Sequence, residues 1–203
     1  MTEAEWWDVA LKSLAFAGTA VAFGVGIWQY ARAQRWRRSE WVAQEFRSFA
    51  QDPMVQAALR MIDWGDRRVR LFPDNAGPEG ELVRVTDDMV ARSLQHHSQR
   101  PNGFSPHEAA IRDTFDRFLD GIERFEAFRQ ARLVTAADLK PHLAYWLHHI
   151  RFAKAGDPSV ERLVQLRSYI ESYGYTGVQT LFGCYRGERL LPPPLTDWAG
   201  HPS

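Results

Sequence analysis

A long apolar stretch that carries no charge lies near the start of the chain. Residues 13–30 contain no Asp, Glu, Lys or Arg, and Trp and Tyr residues lie at the edges of this run. An α-helix rises about 1.5 Å per residue, so residues 9–30 are long enough to cross a hydrocarbon core of roughly 30 Å. The pattern predicts a single N-terminal transmembrane helix, and we assign residues 1–31 to a membrane anchor.

Three other interpretations of this stretch are weaker. A cleaved signal peptide has its positive charges before the apolar run, whereas here Glu3, Glu5 and Asp8 come first and the arginines follow. A helix that lies flat on a membrane needs a charged face along its length, and residues 13–30 have none. A buried helix of a globular core is usually shorter and lacks flanking aromatic and basic residues.

The basic residues that follow the apolar stretch predict its orientation. Four arginines lie just after it, at Arg32, Arg35, Arg37 and Arg38. Basic residues near a membrane helix stay on the cytoplasmic side, and they also contact anionic lipid headgroups. We therefore expect a single-pass protein of a bacterial inner membrane, with its N-terminus in the periplasm and its C-terminal domain in the cytoplasm.

Small residues recur every four positions along the predicted membrane helix. Gly18, Ala22 and Gly26 fall on one helix face, and small residues at this spacing let two backbones approach closely. The functional interpretation is a packing face for another membrane helix or for a second copy of the chain. The alternative is that Ala and Gly are simply frequent in membrane helices.

Beyond the anchor, the hydrophobic pattern is that of a helical protein. Residues 32–50 lack Gly and Pro and predict a juxtamembrane helix, and Asp52-Pro53 then marks a break and a new helix start. We assign residues 51–189 to a cytosolic helical domain. Its strongest local signals are helix starts, at Ser105-Pro106-His107-Glu108, at Thr135 with Asp138, and at Asp157-Pro158.

One part of this domain departs from the helical pattern. The short runs 69–72 and 82–85 are rich in β-forming residues, and residues 73–80 between them are dense in turn formers. These runs form either a small β-hairpin or an extended loop. Residues 190–203 are rich in proline and predict a tail. The fold class is therefore mainly α, a transmembrane helix followed by a helical bundle, with room for one small hairpin.

Composition limits the partners and the compartment. The chain has 203 residues, with 25 acidic and 25 basic residues, so its overall charge gives no reason to expect nucleic acid binding. Its single cysteine, Cys184, allows no internal disulfide, which suits a reducing compartment. Eight Trp and twelve Phe residues supply enough bulk for a core.

Two segments, residues 41–55 and 118–134, resemble an uncharacterised family of bacterial proteins with one N-terminal transmembrane helix and a helical cytosolic domain. In that family a helix with a Leu-Asn-Phe-Phe-Glu-like core precedes a Gly-Leu-Val-like turn and an acidic helix start. The matching positions are Leu119, Asp120, Ile122, Glu123, Leu133, Val134 and Asp138. This chain has Asp120 where the family has Asn and Arg132 where it has Gly. The resemblance implies architecture and a membrane location, and it implies no activity.

The sequence offers little catalytic chemistry. Asp138, His142 and His149 fall near one face if they share a helix, but their spacing matches no known metal-ligand pattern and Pro141 interrupts it. Glu123 and Glu126 flank an otherwise aromatic helix face, where a carboxylate either has a raised pKa or pairs with a neighbouring arginine. No phosphate-binding glycine loop and no nucleophile motif is present, so we predict neither a cofactor nor an enzyme.

These patterns favour a role in binding rather than catalysis. We expect a single-pass, membrane-anchored interaction protein, an accessory or structural subunit of a larger membrane complex. Its partners would be the lipid bilayer and either other membrane helices or further copies of itself. One alternative is a defence or stress effector that oligomerises through its membrane helix. A second is a membrane-surface hydrolase that uses the histidines of residues 138–149 as metal ligands.

Overall fold

The computed structural model describes residues 3–72, 82–154, 156 and 160–185. In the first helix, side chains are described for Lys12 and from Phe16 onward. The chain divides into two compact units, residues 1–41 and residues 42–203. The predicted tail at residues 190–203 and the predicted helix start at Asp157-Pro158 lie outside the described residues.

The first unit consists of one helix that continues into the second unit. Helix α1 runs from Glu3 to Gln51. In the part of the chain that the structure describes, no helix combines the length and the apolar character needed to cross a membrane. The structure therefore does not support the predicted transmembrane helix, although it confirms a helix across that stretch.

The second unit is a helical bundle with one small sheet, so the mainly α fold is confirmed. Six more α-helices follow α1 among the described residues, namely α2 (Pro53–Asp63), α3 (Asp87–Ser93), α4 (Pro106–Gln130), α5 (Ala136–Arg151), α6 (Glu161–Ser172) and α7 (Thr176–Cys184). A 3-10 turn covers His97–Gln99.

The β-hairpin is also confirmed. Strand β1 (Arg67–Arg70) pairs antiparallel with strand β2 (Leu82–Val85), and Val69 lies opposite Val83. Val69 and Val85 are buried, so one face of the hairpin covers the helices and the other faces solvent. The turn-forming residues 73–80 lie outside the described residues.

The predicted helix starts have the expected local chemistry. The hydroxyl of Ser105 accepts a hydrogen bond from the Glu108 N–H, and the Glu108 carboxylate accepts one from the Ser105 N–H, which completes a capping box. Thr135 and Asp138 form the same arrangement at the start of α5. Asp52 caps α2 by accepting from the Met54 N–H, and its extended backbone before Pro53 ends α1.

Helix α4 lies at the centre of the bundle. Its buried face carries Phe115, Phe118, Ile122 and Phe125, each no more than 1% exposed. The last residues of α1 pack on this face, where the Phe49 ring lies 5.5 Å from the Phe125 ring at a near-perpendicular angle. The C-terminal end of α1 is thus part of the core of the second unit.

The turn after α4 places a non-glycine residue in an unusual conformation. Arg132 has a φ of 59°, in the left-handed region that favours glycine. The Leu133 N–H donates to the Phe128 carbonyl across this turn, which ends the helix. The chain therefore accepts a small backbone cost at a position where the resembling family carries Gly.

Candidate functional site

The most unusual surface of the molecule is the first half of α1. Every residue from 16 to 30 is exposed, and Phe16, Phe23 and Trp28 are 78%, 71% and 60% exposed. The large exposed apolar side chains here are Phe16, Val21, Phe23, Val25, Ile27, Trp28 and Tyr30. A continuous apolar surface of this kind marks a site of contact with a membrane or another protein.

The predicted packing face lies on this same segment. Gly18, Ala22 and Gly26 are all exposed, and a Cβ atom built on either glycine would meet nothing within 4 Å. The face is therefore open to another helix. No second helix lies on it among the described residues, so its role in packing stays a prediction.

Aromatic and basic side chains pair where this segment ends. The Arg32 guanidinium lies 5.5 Å from the centre of the Trp28 ring, and the Gln34 amide donates a 2.9 Å hydrogen bond to the Tyr30 hydroxyl. Both pairs are four residues apart, so they lie along the helix axis. Arg35, Trp36 and Arg37 follow and are also exposed. We call residues 28–38 the collar.

The residues proposed as metal ligands do not come together. The Asp138 carboxylate accepts hydrogen bonds from the Thr135 N–H and hydroxyl and serves as a helix cap. The His142 ring stacks on Phe46 at 4.8 Å, whereas the His149 ring lies parallel to Tyr145 at 6.0 Å. Within the described residues, no group of three or more His, Cys, Asp or Glu side chains is placed to hold a metal ion.

The two candidate glutamates, Glu123 and Glu126, have structural roles. The buried Glu126 carboxylate accepts two hydrogen bonds of 2.6 Å from the Arg129 guanidinium, which lowers the pKa of Glu126. Glu123 accepts from the backbone N–H groups of Gly177 and Val178 and so caps the start of α7. Glu126 therefore pairs with a neighbouring arginine, and its pKa is lowered rather than raised.

Sequence reasoning missed a polar cluster buried between α2, α3, α5 and α6. At its centre the Arg162 side chain, 5% exposed, donates to the carbonyl oxygens of Met61 and Ile62 and to the Asp87 carboxylate. The partners are 75 to 101 residues away in the chain. A lone arginine in an amphipathic helix gives no signal of such distant contacts.

Two further groups on the edge of this cluster have shifted pKa values. The Tyr145 hydroxyl donates a 3.1 Å hydrogen bond to the carboxylate of Asp63. Burial raises the pKa of Asp63, and burial together with the Asp63 carboxylate raises the pKa of Tyr145 to about 12. Tyr145 therefore stays protonated at neutral pH and acts as a hydrogen-bond donor rather than as a base.

The two half-buried histidines of α5 predict how stability depends on pH. Burial lowers the pKa of His142, and burial with the Arg162 charge lowers that of His149. As the pH falls through 6.5, the ordinary pKa of histidine, these two side chains therefore bind protons in the unfolded chain before they do so in the folded chain. We expect the free energy of unfolding to decrease between about pH 7.5 and pH 5.5, as measured by urea denaturation.

Variants test the assignment of this slope to the buried rings. His142→Gln and His149→Gln together are expected to flatten the pH dependence of the free energy of unfolding. The control is His107→Gln, at an exposed position, which is expected to leave this dependence intact. A slope that survives the double substitution would show that other groups cause it.

Comparison with known proteins adds no assignment. No protein-family model, no curated protein and no solved structure matches the chain.

Proposed function

We propose that this protein is a membrane-anchored interaction protein, an accessory or structural subunit of a larger membrane complex. The first half of α1 attaches it to the lipid bilayer, and the helical unit from residue 42 onward provides the surface for other proteins. The observation that carries the proposal is the row of large apolar side chains exposed along residues 16–30.

Leaving the apolar side chains of this segment in water costs free energy. Moving one large apolar side chain from water into an apolar environment is worth about 1.5–3 kcal/mol. Seven such side chains are exposed here. With 100° of rotation per residue they form two rows on different sides of the helix, and Gly18, Ala22 and Gly26 lie between these rows. A surrounding lipid phase covers all sides at once, whereas a single protein partner covers only one.

The charges and the small residues refine the proposal. The four arginines of the collar favour an orientation with the N-terminus outside and the helical unit in the cytoplasm. The open face of Gly18, Ala22 and Gly26 allows contact with another helix at short range, either from a partner subunit or from a second copy. Both features suit a subunit that is held in place by its neighbours.

Flotation with vesicles tests the attachment. The full-length chain is expected to float with neutral phosphatidylcholine vesicles and to resist extraction with alkaline carbonate. Phe16→Ser, Phe23→Ser and Ile27→Ser together are expected to lower vesicle binding at least a hundredfold, because each change removes a large apolar side chain from the lipid contact. Leu133→Ser and Phe152→Ser, at exposed positions of the helical unit, are the matched control and should leave binding unchanged.

The exposed Cys184 provides a second readout, for orientation. A maleimide that cannot cross membranes is expected to leave Cys184 unlabelled in intact cells and to label it after the cells are opened. Labelling in intact cells would overturn the proposed orientation. Failure of the wild-type chain to bind vesicles would overturn the attachment, and a chain that runs as a monomer after gentle extraction from its native membrane would contradict the subunit role.

A further inference from the structure

We infer that the collar, residues 28–38, binds the phosphate groups of anionic phospholipids, so that the protein prefers membranes that contain them. This inference rests on the proposed attachment through α1. It goes further because it names the class of lipid and the side chains that select it.

The first support is a concentration of positive charge in a long interval that contains no acidic residue. No Asp or Glu lies between Asp8 and Glu40, and four arginines fall within seven residues of this interval. Arg32 and Arg35 are three residues apart on a helix, as are Arg35 and Arg38, so their charges repel one another. None of the four arginines makes an ion pair with a described residue, and an external anion would relieve this repulsion.

The second support is the arrangement of aromatic rings among these charges. With 100° of rotation per residue, Trp28, Arg32, Arg35 and Trp36 lie on one side of α1. Trp28 and Trp36 are 60% and 68% exposed, and the Arg32 guanidinium lies over the Trp28 ring. Trp and Tyr rings are favoured at the level of lipid headgroups, where one part of the ring contacts acyl chains and the other contacts polar groups.

The chemistry of the side chains then selects the ligand. A guanidinium group donates two parallel hydrogen bonds to a phosphate, and arginine keeps its charge at every physiological pH. The apolar residues 16–27 come directly before the collar, so lipid that surrounds them presents its phosphates at the level of the arginines. A nucleic acid offers the same phosphates but no apolar phase for the neighbouring Phe23 and Ile27 side chains.

Flotation of the full-length chain with two kinds of vesicle tests the inference. One kind contains phosphatidylcholine alone, and the other contains phosphatidylcholine with phosphatidylglycerol. A basic residue near an anionic surface contributes roughly a fivefold factor in binding. We expect at least tenfold stronger binding to the anionic vesicles, with a preference that decreases as salt is added.

Charge-neutral variants assign this preference to the collar. One variant replaces all four arginines of the collar, by Arg32→Gln, Arg35→Gln, Arg37→Gln and Arg38→Gln. It is expected to bind neutral vesicles as the wild type does and to lose the preference for anionic vesicles. The matched control replaces four exposed arginines of the helical unit, by Arg60→Gln, Arg67→Gln, Arg68→Gln and Arg70→Gln. This control should keep the preference for anionic vesicles.

Each other outcome has a definite meaning. Equal binding of the wild type to both vesicles, or loss of the preference in the control variant, would overturn the inference while leaving the attachment in place. No binding to either vesicle would overturn the attachment and the inference together. Release from anionic vesicles by single-stranded RNA, or by inorganic phosphate more strongly than by chloride at equal ionic strength, would assign the collar to those ligands and overturn the lipid assignment.

Discussion

Replacing Arg162 with alanine is expected to lower the free energy of unfolding by about 3–5 kcal/mol, the cost of breaking a buried charged pair. Its guanidinium group donates to two of the last carbonyl oxygens of α2, those of Met61 and Ile62. These oxygens have no partner within their own helix. The third partner, the Asp87 carboxylate, would lose its positive neighbour at the start of α3. Urea denaturation of the full-length chain at neutral pH measures the loss.

An exposed arginine provides the control for this prediction. Arg92 forms an ion pair with Asp88 at 3.2 Å and a longer one with Glu108 at 3.9 Å, but its side chain is 49% exposed. Arg92→Ala is expected to cost no more than about 1 kcal/mol, as is usual for solvated pairs. Arg162→Lys keeps the charge but loses the forked geometry, so its loss should fall between the two. Equal losses for Arg162→Ala and Arg92→Ala would contradict a structural role for the buried cluster.

The sequence predicted those parts of the fold that depend on local signals. The capping boxes at Ser105 and Thr135 are confirmed because each involves residues only three apart. The hairpin is confirmed because its two strands are short, close in sequence and separated by turn formers.

Contacts between distant residues could not be predicted. Arg162 looks like an ordinary exposed residue, and Glu123 was expected to have a raised pKa or to pair with a nearby arginine, yet each caps the end of another helix. Their roles depend on how the helices pack, and a single sequence carries no signal of that packing. The same limit explains why the residues 138–149 suggested a metal site. Helical spacing placed His142 and His149 near one face, but neighbouring helices bring Phe46 to one ring and Arg162 near the other.

The apolar run at the start of α1 shows a different limit. The sequence predicts a helical conformation for this run, and the structure shows a helix there. What surrounds the helix is a property of the environment and not of the chain alone. Vesicle binding therefore tests whether lipid covers the exposed side chains of residues 16–30.

Gly121→Ala is expected to destabilise the protein by about 1–3 kcal/mol, as over-packing of a core does. Helix propensity alone predicts the opposite sign, because alanine is favoured over glycine inside a helix by up to about 1 kcal/mol. Here the end of α1 lies directly against α4. A Cβ atom on Gly121 would overlap one ring carbon of Phe49 and lie 2.6 Å from another. The ring is 6% exposed and packs against Phe118 and Phe125, so it cannot move aside without disturbing the core.

Gly183→Ala in α7 is the matched control, because a Cβ atom there would meet nothing within 4 Å. This change should leave the free energy of unfolding unchanged or raise it by up to about 1 kcal/mol. The double variant Gly121→Ala with Phe49→Leu removes the ring that causes the clash, so the two changes together should cost less than the sum of their separate effects. Additive losses would mean that Gly121 does not set the distance between α1 and α4.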